Sequence, residues 1–327
     1  MKSHDYLPSQ IADLGLEVAR AYESASEVAQ LSTVARSALL RWFTEAQFRR
    51  LAKLLNAIHV VASPGPERDL LECAFSAIVK ATSQWKPRST KPAHDVTHVP
   101  GLPLPLFRRQ LKLFECAWIE RERFYAPAAS IEIANATKSS GRRGQLDLLI
   151  TSPPYATSYE YADLHQLSLL WLGFLEDHRL LRPQMVGSAF NRSTFAGQFK
   201  KLNRTATHLA FSMFGRCPTT AAALANYYLD MQAVAREAFT LVAPGGMAMF
   251  VTGNTRIKGV ELDNARQLAE ALTDAGFSNL DIGRRTISNK KNTPHRHSSG
   301  RLSNDPTDVQ IYAHEYILIA EKTWPSH

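Results

Sequence analysis

Apolar residues recur at helical spacing along the first 84 residues of the chain. Residues 44–47 (Thr-Glu-Ala-Gln) have the form of a capping box, whose end side chains bond the free N–H groups at a helix start. Pro66 suits the first turn of a following helix. The apolar stripes behind these two starts are Phe48, Leu51, Leu54, Leu55 and Ile58, and then Leu70, Leu71, Ala74, Phe75 and Ile78.

Proline interrupts this helical pattern after residue 84. Residues 86–106 contain Pro87, Pro92, Pro100, Pro103 and Pro105, so we predict an irregular linker there. Beyond the linker, an apolar stripe that includes Leu111, Phe114 and Trp118 predicts a helix that ends near Arg123.

From residue 146 onward, short apolar runs alternate with helical stripes. Residues 146–150 form a run that stops at a turn signal, which is typical of a buried parallel strand. We predict helices within 161–174, 228–239 and 262–275, with Gly276 as the C-cap of the last. A turn at 244–246 leads into a strand at 247–251, and strands follow within 278–287 and 310–321. Strands alternating with helices predict an α/β sheet.

The composition is that of an ordinary folded protein. A chain of 327 residues has room for two domains or for one domain with insertions. The first nine residues are polar, and no run approaches the roughly 18 apolar residues that a membrane span needs. The cysteines, Cys73, Cys116 and Cys217, are widely spaced and odd in number, which favours buried thiols over disulfides. We therefore expect a cytoplasmic protein without a metal site or a membrane partner.

Positive charge is concentrated in two segments. The formal net charge is +8, yet residues 178–229 and 282–304 contain no Asp or Glu. Clustered Lys and Arg favour a surface that binds a polyanion, because phosphate contacts require several cations close together. Two solvated loops remain the alternative. The candidate phosphate-binding residues are Lys200, Lys201 and Arg204 in the first segment, and Lys290, Lys291 and Arg296 in the second.

A short motif follows the first predicted strand. Residues 152–155 read Ser-Pro-Pro-Tyr and stand where the carboxyl end of that strand would be. Open α/β sheets bind their ligands at this edge, so the position suits a functional site. A proline-rich turn without a ligand is the alternative interpretation.

Residues 146–321 resemble the S-adenosylmethionine-dependent amino-methyltransferases, which methylate an exocyclic base nitrogen in DNA. Several segments occur in the order and spacing of that family. They are LDLLITSPPY, YADLHQLSLLWLGF, VAPGG with MFVTGN, RRTISNKKNTPHR, and HEYILIAEK.

The resemblance implies a role for each residue of the motif. The Ser152 side chain and the Pro153 carbonyl would accept hydrogen bonds from the target amine. Pro154 would help to fix the direction of that carbonyl, and Tyr155 would stack on the base. The base would have to flip out of the duplex, with the basic segments holding the DNA. Serine at the first position favours cytosine N4 as the target. Adenine N6, an RNA base, or a catalytically inactive subunit that binds nucleic acid are the alternatives.

The chain departs from the family in its glycines. The family holds the methyl donor with a Phe-x-Gly-x-Gly loop, whereas none of the 16 glycines here is separated from another by one residue. We therefore expect a split enzyme, in which a second polypeptide supplies the donor-binding strands for S-adenosylmethionine. The predicted architecture is a helical region with a linker over 1–130, followed by a catalytic region over 131–327. The latter has an incomplete Rossmann-like sheet, a recognition insert at 178–229, a basic loop at 282–304 and a C-terminal strand pair.

Overall fold

The computed structural model divides the chain into two compact units. Unit 1 comprises residues 1–133 and 161–180, and unit 2 comprises residues 134–160 and 181–327. The sequence predicts one boundary, near residue 130, and does not predict that residues 161–180 belong to unit 1. The residues that the structure describes are 8–121, 129–156, 160–188, 190, 195–287, 295–297, 302–303, 305, 307–310 and 314–324.

Unit 1 is helical, as the apolar stripes predict. The Thr44 hydroxyl caps the third helix by accepting the Gln47 backbone N–H at 3.3 Å. The stripe that follows is buried from Phe48 to Ile58, and Pro66 is the first residue of the next helix. The helices are α1 (Pro8–Ser24), α2 (Thr33–Leu39), α3 (Glu45–Val61), α4 (Pro66–Val79), α5 (Pro103–Arg121), α6 (Tyr161–Leu164) and α7 (Gln166–Trp171).

The predicted linker ends earlier than expected. Helix α5 begins at Pro103, so Pro103 and Pro105 lie in its first turn, and the prediction of an irregular segment is wrong for residues 103–106. The N–H groups of a first helical turn have no partner within the helix, which is why proline is tolerated there.

Residues 161–180 pack into the core of unit 1. The Trp171 ring lies 4.7 Å from the Phe48 ring and 6.0 Å from the Phe75 ring, measured between centroids. Ser76 also donates a hydrogen bond to Ser168 at 2.8 Å. The single helix predicted within 161–174 is in fact two short helices, α6 and α7.

Unit 2 contains a four-stranded mixed sheet, which confirms the predicted α/β class. Its strands, in their order across the sheet, are β1 (Leu146–Thr151), β2 (Val242–Thr252), β9 (His314–Glu321) and β5 (Ser278–Thr286). Strand β1 is parallel to β2, and β9 is antiparallel to both β2 and β5, so the predicted C-terminal strand pair is present.

One face of this sheet is covered by helices, and the other is largely apolar but only partly buried. Ala248, Phe250, Leu318 and Ala320 belong to the buried core of unit 2. Residues that alternate with them point the opposite way. That opposite face includes Leu148, Ile150, Met247, Met249, Val251, Ile317 and Ile319, of which Ile150 is 63% exposed.

Strand β1 is an edge strand, because among the described strands it pairs with β2 alone. The prediction that β1 is parallel is confirmed, but the prediction that it is buried is wrong, since Leu146, Leu148 and Ile150 are exposed. An apolar run identifies a strand that can be buried on both faces, but it does not specify which neighbouring elements would bury it.

The predicted turn at 244–246 lies inside strand β2. The register between β1 and β2 shifts by a bulge at this level, between Leu146 and Leu148. A Cβ atom at Gly246 would come within 2.9 Å of the Asp147 carbonyl oxygen, so only glycine allows the strands to meet there.

The two long helices that cover the sheet begin at a proline or after a polar N-cap residue. Helix α10 starts at Pro218, ten positions before the predicted stripe at 228, and is buried at most of residues 221–228. Helix α11 ends at Gly276, whose φ of 110° confirms the predicted C-cap. The remaining elements of unit 2 are α8 (Phe195–Gln198), α9 (Arg204–Phe214), α10 (Pro218–Leu241), α11 (Asn264–Ala275), β3 (Thr255–Ile257), β4 (Val260–Leu262), β6 (His295–Arg296), β7 (Leu302–Ser303) and β8 (Val309–Gln310). Among the described residues, no helix has the length and apolar composition needed to cross a membrane.

Candidate functional site

The Ser-Pro-Pro-Tyr motif directly follows strand β1, at the carboxyl end of the parallel pair β1 and β2. Ser152 is exposed, Pro153 is buried, and Tyr155 is half-buried. This placement agrees with the position expected from the sequence. The Ser152 hydroxyl and the neighbouring Pro153 carbonyl are two groups at this edge of the sheet that can accept hydrogen bonds.

The Tyr155 ring is held by residues from two other strands. Its hydroxyl donates a hydrogen bond to Glu315 Oε1 at 3.0 Å, and Arg285 bonds the other carboxylate oxygen of Glu315. A Cβ atom at Gly253, just after β2, would lie 3.2 Å from the ring edge. The absence of a side chain at Gly253 therefore lets the aromatic ring approach the backbone.

A buried amide holds the turn that contains Gly253. Asn264 donates through Nδ2 to the Gly253 carbonyl at 3.0 Å and to the Thr255 hydroxyl at 3.2 Å. Its Oδ1 accepts the Tyr228 hydroxyl at 3.1 Å. Burial raises the pKa of Tyr228 well above its usual value, so this hydroxyl remains a donor. This network is not predicted by the sequence, since nothing in the spacing of these residues indicates that they meet.

Asp230 on helix α10 adds a carboxyl group near the motif. Burial raises its pKa to about 6, partly opposed by a hydrogen bond from the Gly187 backbone N–H. A Cβ atom at Gly187 would be 3.8 Å from the Tyr155 carbonyl oxygen, so the Asp230 partner lies beside the motif backbone. The sequence contains one signal for this residue, because Asp230 is the first acid after the acid-free segment.

The first basic segment presents Lys200 and Lys201 on an exposed turn. Both lysines belong to a 3-10 helix, Phe199–Lys201, and their side chains are exposed. Gln232 on α10 holds this turn by donating to the Lys201 carbonyl at 3.1 Å and accepting the Asn203 N–H at 3.0 Å. Helix α10 thus carries both the residue that holds the basic turn and the carboxyl group that bonds Gly187.

Arg204 has an acidic neighbour that the sequence does not show. The Glu270 carboxylate accepts the backbone N–H groups of Arg204 and Thr205 at 2.9 and 2.8 Å. Partial burial alone would raise the pKa of Glu270, but the Thr205 hydroxyl, these N–H groups and the charge of Arg204 lower it below the usual value. The Glu270 carboxylate therefore offsets part of the positive charge at Arg204.

Several other cations of the two segments are paired or have side chains outside the described residues. Asp177 bonds Arg179 at 2.8 Å, and this hydrogen bond is the main reason why the pKa of Asp177 falls to about 2. Arg296 belongs to strand β6, but its side chain lies outside the described part of the chain, as do Lys290 and Lys291. In the part of the chain that is described, no group of three His, Cys, Asp or Glu residues could hold a metal ion.

Comparisons with known proteins give partial likenesses. No family model matches the chain, and no curated protein matches it. A structure of TTHA0409, a candidate DNA modification methylase from Thermus thermophilus, is 16% identical with a TM-score of 0.29, over 60% of this chain and 54% of that one. The TTHA0409 complex with S-adenosyl-L-methionine is 21% identical with a TM-score of 0.22, over 31% and 39% of the two chains. The chain thus spans about half or less of the structures that it matches.

Proposed function

We propose that the chain is a subunit of a DNA methyltransferase that modifies the exocyclic amine of a flipped base, with cytosine N4 as the target. The observation that carries this proposal is the Ser-Pro-Pro-Tyr motif at the carboxyl end of β1, with the Tyr155 ring anchored by Gly253 and Glu315. Two acceptors and an oriented aromatic ring at a sheet edge are suited to a planar base that carries an amine.

Each residue of the motif has a chemical task in this proposal. The lone pair of an aromatic amine is delocalised into the ring, which makes the nitrogen a weak nucleophile. The Ser152 hydroxyl and the Pro153 carbonyl each accept a hydrogen bond from one N–H group of the amine, and this draws the nitrogen toward tetrahedral geometry. Pro154 restricts the backbone, and Tyr155 stacks on the base. The contribution of the chain is therefore orientation and hydrogen bonding.

The basic turn supports DNA as the substrate. Lys200 and Lys201 are exposed cations, and the rings of Phe211 and Phe214 on the adjacent helix α9 are 47% and 41% exposed. Phosphate contacts by lysine and stacking of bases on aromatic rings are the interactions that hold unpaired nucleotides. We assign Lys200, Lys201 and Arg204 to DNA binding, and extend this role to Lys290, Lys291 and Arg296.

The methyl donor, S-adenosylmethionine, does not fit the described residues alone. The donor supplies the electrophilic methyl group, and its usual glycine loop has no equivalent among the glycines of this chain. The free edge of β1, with Leu148 and Ile150 exposed, is where further strands could pair. We therefore propose that a second polypeptide supplies the donor-binding strands at this edge.

Substitution of Ser152 tests the assignment. Ser152→Ala removes one acceptor and leaves Pro153 and Pro154 in place, so the fold should survive. A hydrogen bond that strengthens in the transition state is worth about 2.7 to 4 kcal/mol, so we expect kcat to fall roughly 100- to 1000-fold with a smaller change in DNA affinity. Single-turnover methyl transfer by the reconstituted complex measures this, with Ser139→Ala, an exposed serine of the same unit, as the control.

The same assay separates the alternatives. Mass spectrometry of the digested product distinguishes N4-methylcytosine from N6-methyladenine, and an RNA duplex replaces DNA in a parallel reaction. If the chain is an inactive binding subunit, the Tyr155→Ala variant should retain the DNA affinity of the unaltered chain. Neither the variant nor the unaltered chain should then transfer a methyl group. Near-normal transfer by Ser152→Ala would make Ser152 a turn residue and contradict the assignment of the active site.

A further inference from the structure

The aromatic ring of the motif is tethered through a residue on another strand. Tyr155 Oη donates to Glu315 Oε1 at 3.0 Å, and the ring edge lies against Gly253. Glu315 is 160 positions away in the sequence and is not part of the motif. The ring is thus fixed at two points, one at its hydroxyl and one at its edge.

A cross-strand pair orients the carboxylate that receives this bond. Arg285 on β5 lies directly opposite Glu315 on β9 in the antiparallel register. Its guanidinium bonds Glu315 Oε2, which leaves Oε1 for the Tyr155 hydroxyl. Opposite charges at facing positions of an antiparallel pair stabilise each other, and a charged acceptor makes a stronger hydrogen bond than a neutral one. Arg285, a cation of the second basic segment, is therefore engaged in an ion pair within this chain.

The tether matters because a stacking ring must hold one plane. A tyrosine side chain has two rotatable bonds, and a half-buried ring without a partner for its hydroxyl would sample several orientations. Stacking on an unpaired base requires the two planes to be parallel, so a ring that is already oriented loses less entropy on binding.

We propose that Glu315 is a positioning residue, which holds the Tyr155 ring in the plane that stacks on the target base, with Arg285 fixing the Glu315 carboxylate. This inference rests on the proposed function and extends it to two residues outside the motif. Glu315 acts through Tyr155 and does not touch the base.

The test uses the full chain and a fluorescent base that needs no flipping. The probe is a short single-stranded DNA with one pyrrolo-cytosine, whose emission is quenched when the base stacks. We expect quenching by the unaltered chain and its loss in Tyr155→Ala. Glu315→Leu keeps the side-chain size but removes the acceptor, so the dissociation constant should rise about three- to tenfold. Glu315→Gln keeps an acceptor for the hydroxyl and should restore most of the binding.

A second route to the same bond makes the test independent of any one variant's folding. Tyr155→Phe removes the hydroxyl and keeps the ring, so it should resemble Glu315→Leu, and the double variant should be no worse than either single variant. Additive losses would overturn the inference. Glu321→Gln on the same strand, where Glu321 bonds Asn279 at 2.8 Å, is the matched control and should quench normally.

The outcomes separate this inference from the proposed function. If Tyr155→Ala loses quenching while Glu315→Leu binds like the unaltered chain, Tyr155 remains the stacking residue and the role of Glu315 is overturned. If the unaltered chain does not quench the probe, or if Tyr155→Ala quenches it equally well, the proposal that a base stacks on Tyr155 is contradicted. The inference about Glu315 is then contradicted as well. Circular dichroism of each variant reports its folding.

Discussion

Cys217 has a different environment from the one that the cysteine spacing predicts. The expectation of three buried thiols is wrong, because Cys73 and Cys116 are exposed and Cys217 is half-buried. Lys258 Nζ lies 2.9 Å from the Cys217 sulfur, and the Thr220 hydroxyl donates to it at 3.1 Å. The lysine bond, together with the hydroxyls of Thr219 and Thr220, lowers the pKa of Cys217 to about 6.

We expect Cys217 to react first with an alkylating reagent. At pH 7 its sulfur is mostly thiolate, whereas partial desolvation and the Asp69 and Glu72 carboxylates raise the pKa of Cys73. Allowing for the weaker nucleophilicity of a low-pKa thiolate, Cys217 should react with iodoacetamide roughly tenfold faster than Cys73, as followed by peptide mass spectrometry.

Removing the Lys258 ammonium group should abolish the faster alkylation of Cys217. Lys258→Met raises the pKa of Cys217 and should slow its alkylation at pH 7, whereas Lys138→Met, an exposed lysine of the same unit, should leave the rate unchanged. Equal rates at Cys217 with and without the Lys258 ammonium group would contradict the role of that bond.

Asp230 gives the stability of unit 2 a pH dependence. Burial raises its folded-state pKa from 3.8 to about 6, so between these values the folded state binds more protons than the unfolded state. Stability therefore falls as the pH rises through this window. This rise in the pKa of Asp230 corresponds to about 3 kcal/mol of free energy of unfolding, which solvent screening of the part-exposed carboxyl reduces to about 1 kcal/mol.

Asp230→Asn should remove this loss. The amide oxygen can still accept the Gly187 N–H, and no charge is buried, so the variant should be about 1 kcal/mol more stable than the unaltered chain at pH 7.5. The gain should shrink as the pH falls through about 6 and vanish below about pH 4, where Asp230 becomes protonated in both states. Calorimetric unfolding at a series of pH values measures it, and a gain of the same size at every pH would refute the protonation argument.

At the scale of elements, helix α10 connects the basic turn to the sheet edge. Gln232 bonds the backbone of Lys201 and Asn203 at the end of the basic turn, and Asp230 bonds Gly187, which lies beside the Tyr155 carbonyl. Residues 218–229 of the acid-free segment are thus part of a core helix, and the exposed cations Lys200, Lys201, Arg204 and Arg216 precede that helix.

Replacing the basic turn should weaken DNA binding without changing its sequence preference. In duplex DNA each phosphate contact contributes about 0.9 to the slope of log K against log salt concentration. Arg204 faces Glu270, so the triple variant of Lys200, Lys201 and Arg204 to Ala should lower the slope by about 2 rather than about 3. Fluorescence anisotropy with duplex DNA at several salt concentrations measures this slope.

A triple substitution in unit 1 controls for net charge. Lys86, Arg88 and Lys91 are exposed, and their replacement by Ala removes the same charge from the loop after α4. We expect a slope close to that of the unaltered chain. If both triple variants lower the slope equally, the effect belongs to net charge and the basic turn is not a DNA contact.

At the scale of the whole molecule, the free β1 edge and the missing glycine loop make the same prediction about the methyl donor. We expect the purified chain alone to bind S-adenosylmethionine poorly, because no glycine-rich turn lets the backbone approach the ligand. Isothermal titration calorimetry tests this. Micromolar binding by the chain alone would contradict the proposal of a second polypeptide, and the same titration with a coexpressed partner carrying Phe-x-Gly-x-Gly should show binding.

Local features of this fold could be read from the sequence because neighbouring residues determine them. The capping at Thr44, the proline start of α4, the Gly276 C-cap and the strand before Ser152 each depend on residues close in the chain. The placement of the motif at a strand end followed from the same local signals, and so did the concentration of positive charge along the chain.

Tertiary structure alone decided which distant residues meet. Glu315 reaches Tyr155, Glu270 reaches Arg204, and residues 161–180 join unit 1, because packing brings together segments whose local sequences do not refer to each other. The exposure of β1 is of the same kind. Its apolar residues determine that it can form a buried strand, whereas the number of neighbouring strands determines whether it is buried.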